Sequence, residues 1–159
     1  MASAGTAPAP ISEQQQQQST QPTIAPAKLV AGSRMRAGAK WFYWIAALSL
    51  VNSLVVIFGG QFHFVVGLGI TSVVDELAKG VGSSAGIVLA LIINGTVAGI
   101  FFLFGGFAGK AHKWAFIVGV VLYGLDGLLL LAATDILSVG FHAYAIFGIV
   151  RGLMAVDQA

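Results

Sequence analysis

Apolar residues run through this chain in long, nearly unbroken stretches, and polar residues interrupt them only at wide intervals. Four stretches stand out: 41–59 (WFYWIAALSLVNSLVVIFG), 84–107 (SAGIVLALIINGTVAGIFFLFGGF), 114–133 and 136–154. A helix rises about 1.5 Å per residue, so roughly twenty such residues cross the ~30 Å hydrocarbon layer of a bilayer. The pattern therefore predicts an all-α polytopic membrane protein, a bundle of four transmembrane helices. A turn at Thr134-Asp135 joins the last two spans.

Residues 60–83 do not fit a fifth span. Their apolar run is broken by Gly67, Gly69 and Gly80 and carries Asp75, Glu76 and Lys79. Ser72 followed by Asp75 predicts the start of a capped helix, Asp75 and Lys79 have i,i+4 spacing, and Gly80 is a stop. Val73, Val74, Leu77 and Ala78 share one face. The segment reads as a short helix in the outer interface, or as a partly re-entrant loop.

Composition strengthens the membrane reading. The 159 residues are 57% hydrophobic and 9% charged, against about 25% charged in soluble domains. With no cysteine, disulfides, thiolate metal sites and cysteine nucleophiles are excluded. Residues 1–37 differ from the rest. Their first part is rich in alanine, proline and glutamine and predicts a disordered cytoplasmic arm, leaving 38–159 as the transmembrane domain.

Charge sets the orientation. Lys28, Arg34, Arg36, Lys40, Lys110, Lys113 and Arg151 fall on one side of the predicted topology, and only Lys79 of the eight basic residues falls on the other. The positive-inside bias places both termini in the cytoplasm. Eight basic residues spread in this way make no phosphate-tracking patch, so nucleic acid is not an expected partner. Trp41, Phe42, Tyr43 and Trp44 follow the first basic cluster and read as an aromatic belt at headgroup level.

Each predicted span carries one strongly polar residue: Asn52, Asn94, Asp126 and His142. Asp126 and His142 flank the Thr134-Asp135 turn at similar distances, roughly 10–13 Å along their helices, so an antiparallel hairpin brings them level. Together the four residues predict a polar layer in the outer half of the bundle. Gly119, Tyr123, Asp126 and Gly127 share a face of the third span, and Ser138, His142, Ala145, Gly148 and Gly152 share one of the fourth. Two readings follow. One is a hydrogen-bonded pair that fixes the bundle; the other is a proton or ion relay. Gly95 and Gly99 form a small-xxx-small pair suited to close helix packing.

Other chemistry is poorly supported. His63, His112 and His142 fall at three different depths, so no metal site is expected, and no cofactor is implied. Gly82-Ser83-Ser84-Ala85-Gly86 matches Gly-x-Ser-x-Gly, but that elbow has meaning only between a strand and a helix. Here Ser83 or Ser84 is the expected cap of the second span, and an intramembrane hydrolase is the remote alternative.

AKWFYWIAALSLVNS, FVVGLGITSVVDELA, and WAFIVGVVLYGLDGLLLL followed by LSVGFHAYAIFGIVRGL, across residues 38–154, resemble small four-span membrane proteins of bacteria that have no assigned function. The resemblance implies class and an inner-membrane location, and no activity. The expectation is thus a non-enzymatic structural or accessory protein, with the bilayer and a second copy or another membrane protein as partners. A small proton-linked transporter or channel subunit using Asp126 and His142 is the alternative.

Overall fold

A computed structural model describes residues 26–58, 68–81 and 84–159, all of them in helices or the short turns between them. Among the described residues five α-helices follow one another: α1 (Pro26–Ile57), α2 (Gly69–Val81), α3 (Ser84–Gly109), α4 (Lys113–Ala132) and α5 (Ile136–Ala155), with a closing 3-10 turn at Val156–Gln158. Of these, three are long and apolar enough to cross a membrane: α3, α4, and α5 with its closing turn. Residues 41–57 of the expected first span (41–59) lie in α1, whose first half, from Lys28 to Lys40, is basic, and residue 59 lies outside the described residues. Residues 1–25 of the N-terminal arm, residues 59–67 with His63, and residues 82–83 with Ser83 lie outside the described residues.

α1 corrects one boundary. Residues 26–37, expected in a disordered arm, are helical. Pro26 suits the first helical position, where its missing N–H is no loss. Alanine, leucine, lysine, arginine and methionine then favour helix. Packing fixes it: Ala31, Met35 and Ala39 are buried, and Met35 shares one apolar cluster with Ala155 near the chain's end.

The helix crossings are set by glycine and aromatic rings. A Cβ added to Gly38 on α1 meets Gly152 Cα of α5 at 2.5 Å, and one on Gly148 meets the Trp41 ring at 2.2 Å. Only glycine permits this approach. Phe42 is fully buried and lies 6.1 Å, centroid to centroid, from Phe104 and from Phe116. Tyr43 fills the notch over Gly105. Most of the aromatic run is thus engaged in packing between helices, and Trp44 alone, 61% exposed, points away from the bundle. Gly95 and Gly99, expected at a close crossing, have nothing within 4 Å of an added Cβ and face outward.

The α4–α5 hairpin follows the expected turn. Asp135 caps α5, accepting from the Ser138 N–H and from the Ser138 hydroxyl. Thr134 turns the chain with φ 60°, and the Asp135 N–H returns to the Leu130 carbonyl, closing α4 in a Schellman pattern. At the opposite end Lys113 of α4 pairs with Asp157.

Candidate functional site

Asp126 projects from α4 into the bundle and is 7% exposed. Its carboxylate accepts the Gly69 N–H at Oδ2 (2.7 Å) and the Ile70 N–H at Oδ1 (2.8 Å), the first two amides of α2. The amide before them, on Leu68, donates to Ser49 Oγ of α1 at 2.8 Å. Leu68 has no side chain able to cap a helix. α2 is therefore capped by side chains from two other helices. An anion at a helix N-terminus meets both the free amides and the positive end of the helix dipole. Gly69 is needed here for space as well: a Cβ would lie 2.7 Å from Leu130 Cγ.

This arrangement corrects the expected start at Ser72. The helix opens three residues earlier because its cap is distant in sequence. Ser72 instead accepts from Asn52 Nδ2 of α1 at 3.3 Å.

His142 stands beside Asp126 on α5, with Nε2 2.9 Å from Oδ2. Its Nδ1 lies 2.8 Å from the Ser138 carbonyl oxygen, which can only accept, so Nδ1 carries a proton. The Nε2–Oδ2 contact then holds a single shared proton, whichever atom bears it. Tyr123 stacks on the imidazole at 4.1 Å and 15°, and Gly127 leaves room on α4, where a Cβ would lie 3.3 Å from His142 Cβ. The Tyr123 hydroxyl is buried and makes no hydrogen bond.

Asn94 of α3 forms a second polar group around the same short helix. Its Nδ2 donates to Asp75 Oδ1 of α2 at 2.6 Å and to Ser53 Oγ of α1 at 2.8 Å. Asp75, at i,i+4 spacing from Lys79, is buried at 3% exposure; the Lys79 side chain lies outside the description. Thr71, also buried, donates to the Leu68 carbonyl.

The four polar residues singled out from the sequence thus do not form one layer bonded within itself. Asp126 and His142 touch each other. Asn52, Asn94 and Asp126 each bond α2 at a different place along it. Sequence reasoning missed Ser49, Ser53 and Thr71; it put Tyr123 on the Asp126 face, and it named Asp75 only for its i,i+4 spacing with Lys79. A signal existed for two of them: Ser49, Asn52 and Ser53 have i, i+3, i+4 spacing and mark one polar stripe in an apolar helix.

On the short helix Thr71 and Asp75 face the bundle, while Val73, Glu76 and Leu77, the last 66% exposed, face outward. Two grooves open on the surface. One, about 190 Å³, lies between α2 and α3 and includes Leu77, Leu89 and Ile93; the other, about 310 Å³, lies between α1 and α5. Neither is lined by Asp126 or His142.

Among the described residues no group of three potential metal ligands exists. A serine nucleophile is not served either. Ser84 is exposed at the start of α3, and both nitrogens of His142 are already engaged.

No family model, curated protein or solved structure matches the chain.

Proposed function

We propose that this chain is a non-enzymatic integral membrane protein, structural or accessory, in which a polar centre clasps a short re-entrant helix inside a four-span bundle. α1 is the remaining span, and α2 enters from the outer side to the depth of Asp126. The observation that carries this reading is the orientation of α2. Thr71 and Asp75 inside, with Ile70, Val73 and Leu77 outside beside a single outward acid, Glu76, suit a helix with bundle on one side and lipid on most of the other better than one lying at a water boundary. The bacterial inner membrane, with both termini cytoplasmic, is the setting that the distribution of basic residues favours. A second copy or another membrane protein is the partner expected of an accessory protein.

Site-directed thiol labelling in intact cells tests the topology and α2 together. Cysteine at position 111, on the α3–α4 turn, is expected to resist an impermeant external reagent. Cysteine at Leu77 is expected to react with a lipid-soluble maleimide and not with the impermeant one. Rapid external labelling at 111 overturns the orientation, and rapid external labelling at 77 overturns the re-entrant placement.

A second reading, a proton-linked transporter or channel subunit, draws on the single proton shared by Asp126 and His142 beside the unpartnered Tyr123 hydroxyl. Proteoliposomes decide it. Proton flux that disappears in Asp126→Asn while the fold persists supports a relay; no flux in the parent protein supports the structural reading.

A further inference from the structure

The groove between α1 and α5 lies at the basic end of the bundle, and its lining changes character along its length. Arg34 and Arg151 stand at one end, one from each helix, with Trp41 and Tyr144 at the other. On both walls the ring lies seven residues from the arginine, about 10 Å along a helix. Gly38 and Gly148 also line the groove. The rings of Trp41 and Tyr144 meet edge to face at 5.3 Å and 87°, and the Arg151 guanidinium sits 5.6 Å from the Phe147 ring centroid, a contact that orients the fork.

We infer that this groove binds an anionic glycerophospholipid, with its phosphodiester between Arg34 and Arg151 and its glycerol and upper acyl chains against Trp41, Tyr144 and Phe147. Charge complementarity supplies the first argument. Among the described residues the side-chain carboxylate at this end is Asp157, which is paired with Lys113, and neither groove arginine has a carboxylate partner. Two guanidinium forks in one groove suit a phosphate oxygen pair better than two ammonium groups would. Basic pockets between membrane helices on the cytoplasmic side are suited to such headgroups.

The second argument is the order of the lining. A soluble anion would use the arginines and gain nothing from the aromatic end. A lipid presents a charged head and an apolar body over the same short distance. Tyr144 and Phe147 are 62% and 60% exposed, so the groove opens sideways, as access from the bilayer requires.

The inference rests on the reading of this chain as membrane-embedded with its basic end at the headgroups. The test uses the full chain in neutral detergent, with bound lipid counted by native mass spectrometry. Phosphatidylglycerol is expected to bind in preference to phosphatidylcholine. At about 1 kcal/mol per basic contact, that preference should fall about fivefold in Arg34→Gln or Arg151→Gln and about thirtyfold in the double variant. A control pair outside the groove, Arg36→Gln with Lys110→Gln, should change it less than twofold. Equal loss in the control means diffuse attraction and overturns the site, and no loss in the double variant does the same. Displacement of the lipid by millimolar glycerol 3-phosphate would identify a soluble anion instead. The single variants carry the test if the double one fails to fold. Protein that resists carbonate extraction from membranes yet shows no lipid preference sinks this inference and leaves the membrane reading standing.

Discussion

The bundle is held in two different ways at its two ends. At the basic end, α1 and α5 touch backbone to backbone at Gly38 and Gly152, and aromatic rings fill the notches left by Gly105, Gly119 and Gly148. At the other end, α2 is held by hydrogen bonds from α1, α3 and α4, with the His142 of α5 behind them. The contrast reflects what a bilayer withholds. Lipid tails are as apolar as leucine, so burying apolar surface between helices gains little. Long helices then associate through shape, which is sensitive to a single methyl group. A short helix has too little length for that, and its exposed amides in an apolar surround must be satisfied from outside. One end therefore spends its sequence on small residues and rings, the other on Ser, Asn, Asp and His.

The largest effect is expected where shape dominates. Gly38→Ala puts a methyl group 2.5 Å from Gly152 Cα, and backbone cannot move aside as a side chain does. Overpacking of this kind typically costs about 1–3 kcal/mol, occasionally more, and we expect the upper part of that range in a reversible unfolding assay in detergent. A near-neutral result would mean that α1 and α5 do not cross there.

The polar end should respond less, and with coupling. Asp126→Leu strands two amides and the imidazole, and His142→Leu leaves the carboxylate with the Gly69 and Ile70 amides alone; each should destabilise, by about 1–3 kcal/mol. The double variant should cost less than the two summed, by the ~0.6 to ~1.7 kcal/mol typical of bonds between membrane helices. Strict additivity would show that the contact at 2.9 Å contributes nothing.

The smallest effect separates glycines in use from glycines that are not. Gly95→Ala and Gly99→Ala meet open space on α3. Alanine is the better helix former by about 1 kcal/mol in water, so stability should stay level or rise slightly in the monomer. A clear loss at low protein concentration would place a neighbour against that face.

These comparisons also mark what the sequence made legible. α3, α4 and α5 were readable because long apolar runs leave a helix no alternative in a bilayer. The hairpin turn was readable from Thr134-Asp135, and Asp126 beside His142 followed from equal spacing about that turn. What was not readable depended on distant contacts. Ser72 looked like a cap because capping is usually local, whereas here Asp126 supplies the cap from 57 residues along the chain. Asp75 was readable only as an acid spaced i,i+4 from Lys79, and it is the position of Asn94 that shows which side of the short helix faces in. The glycine pairs were indistinguishable as strings: Gly148 and Gly152 pack against α1, while Gly95 and Gly99 with the same spacing face outward. Spacing states that close approach is possible, and a partner decides whether it occurs.

The central claim is that Asp126 holds the first turn of α2 inside the bundle. Amide hydrogen exchange at Gly69 and Ile70 tests it most directly, in the parent protein and in Asp126→Leu. The account predicts slow exchange at both amides in the parent, comparable to the buried parts of α4. In Asp126→Leu it predicts strong acceleration at these two, while the amides of α3 and of the basic ends of α1 and α5 stay protected. Fast exchange at Gly69 and Ile70 in the parent, or protection unchanged when the carboxylate is removed, would contradict it.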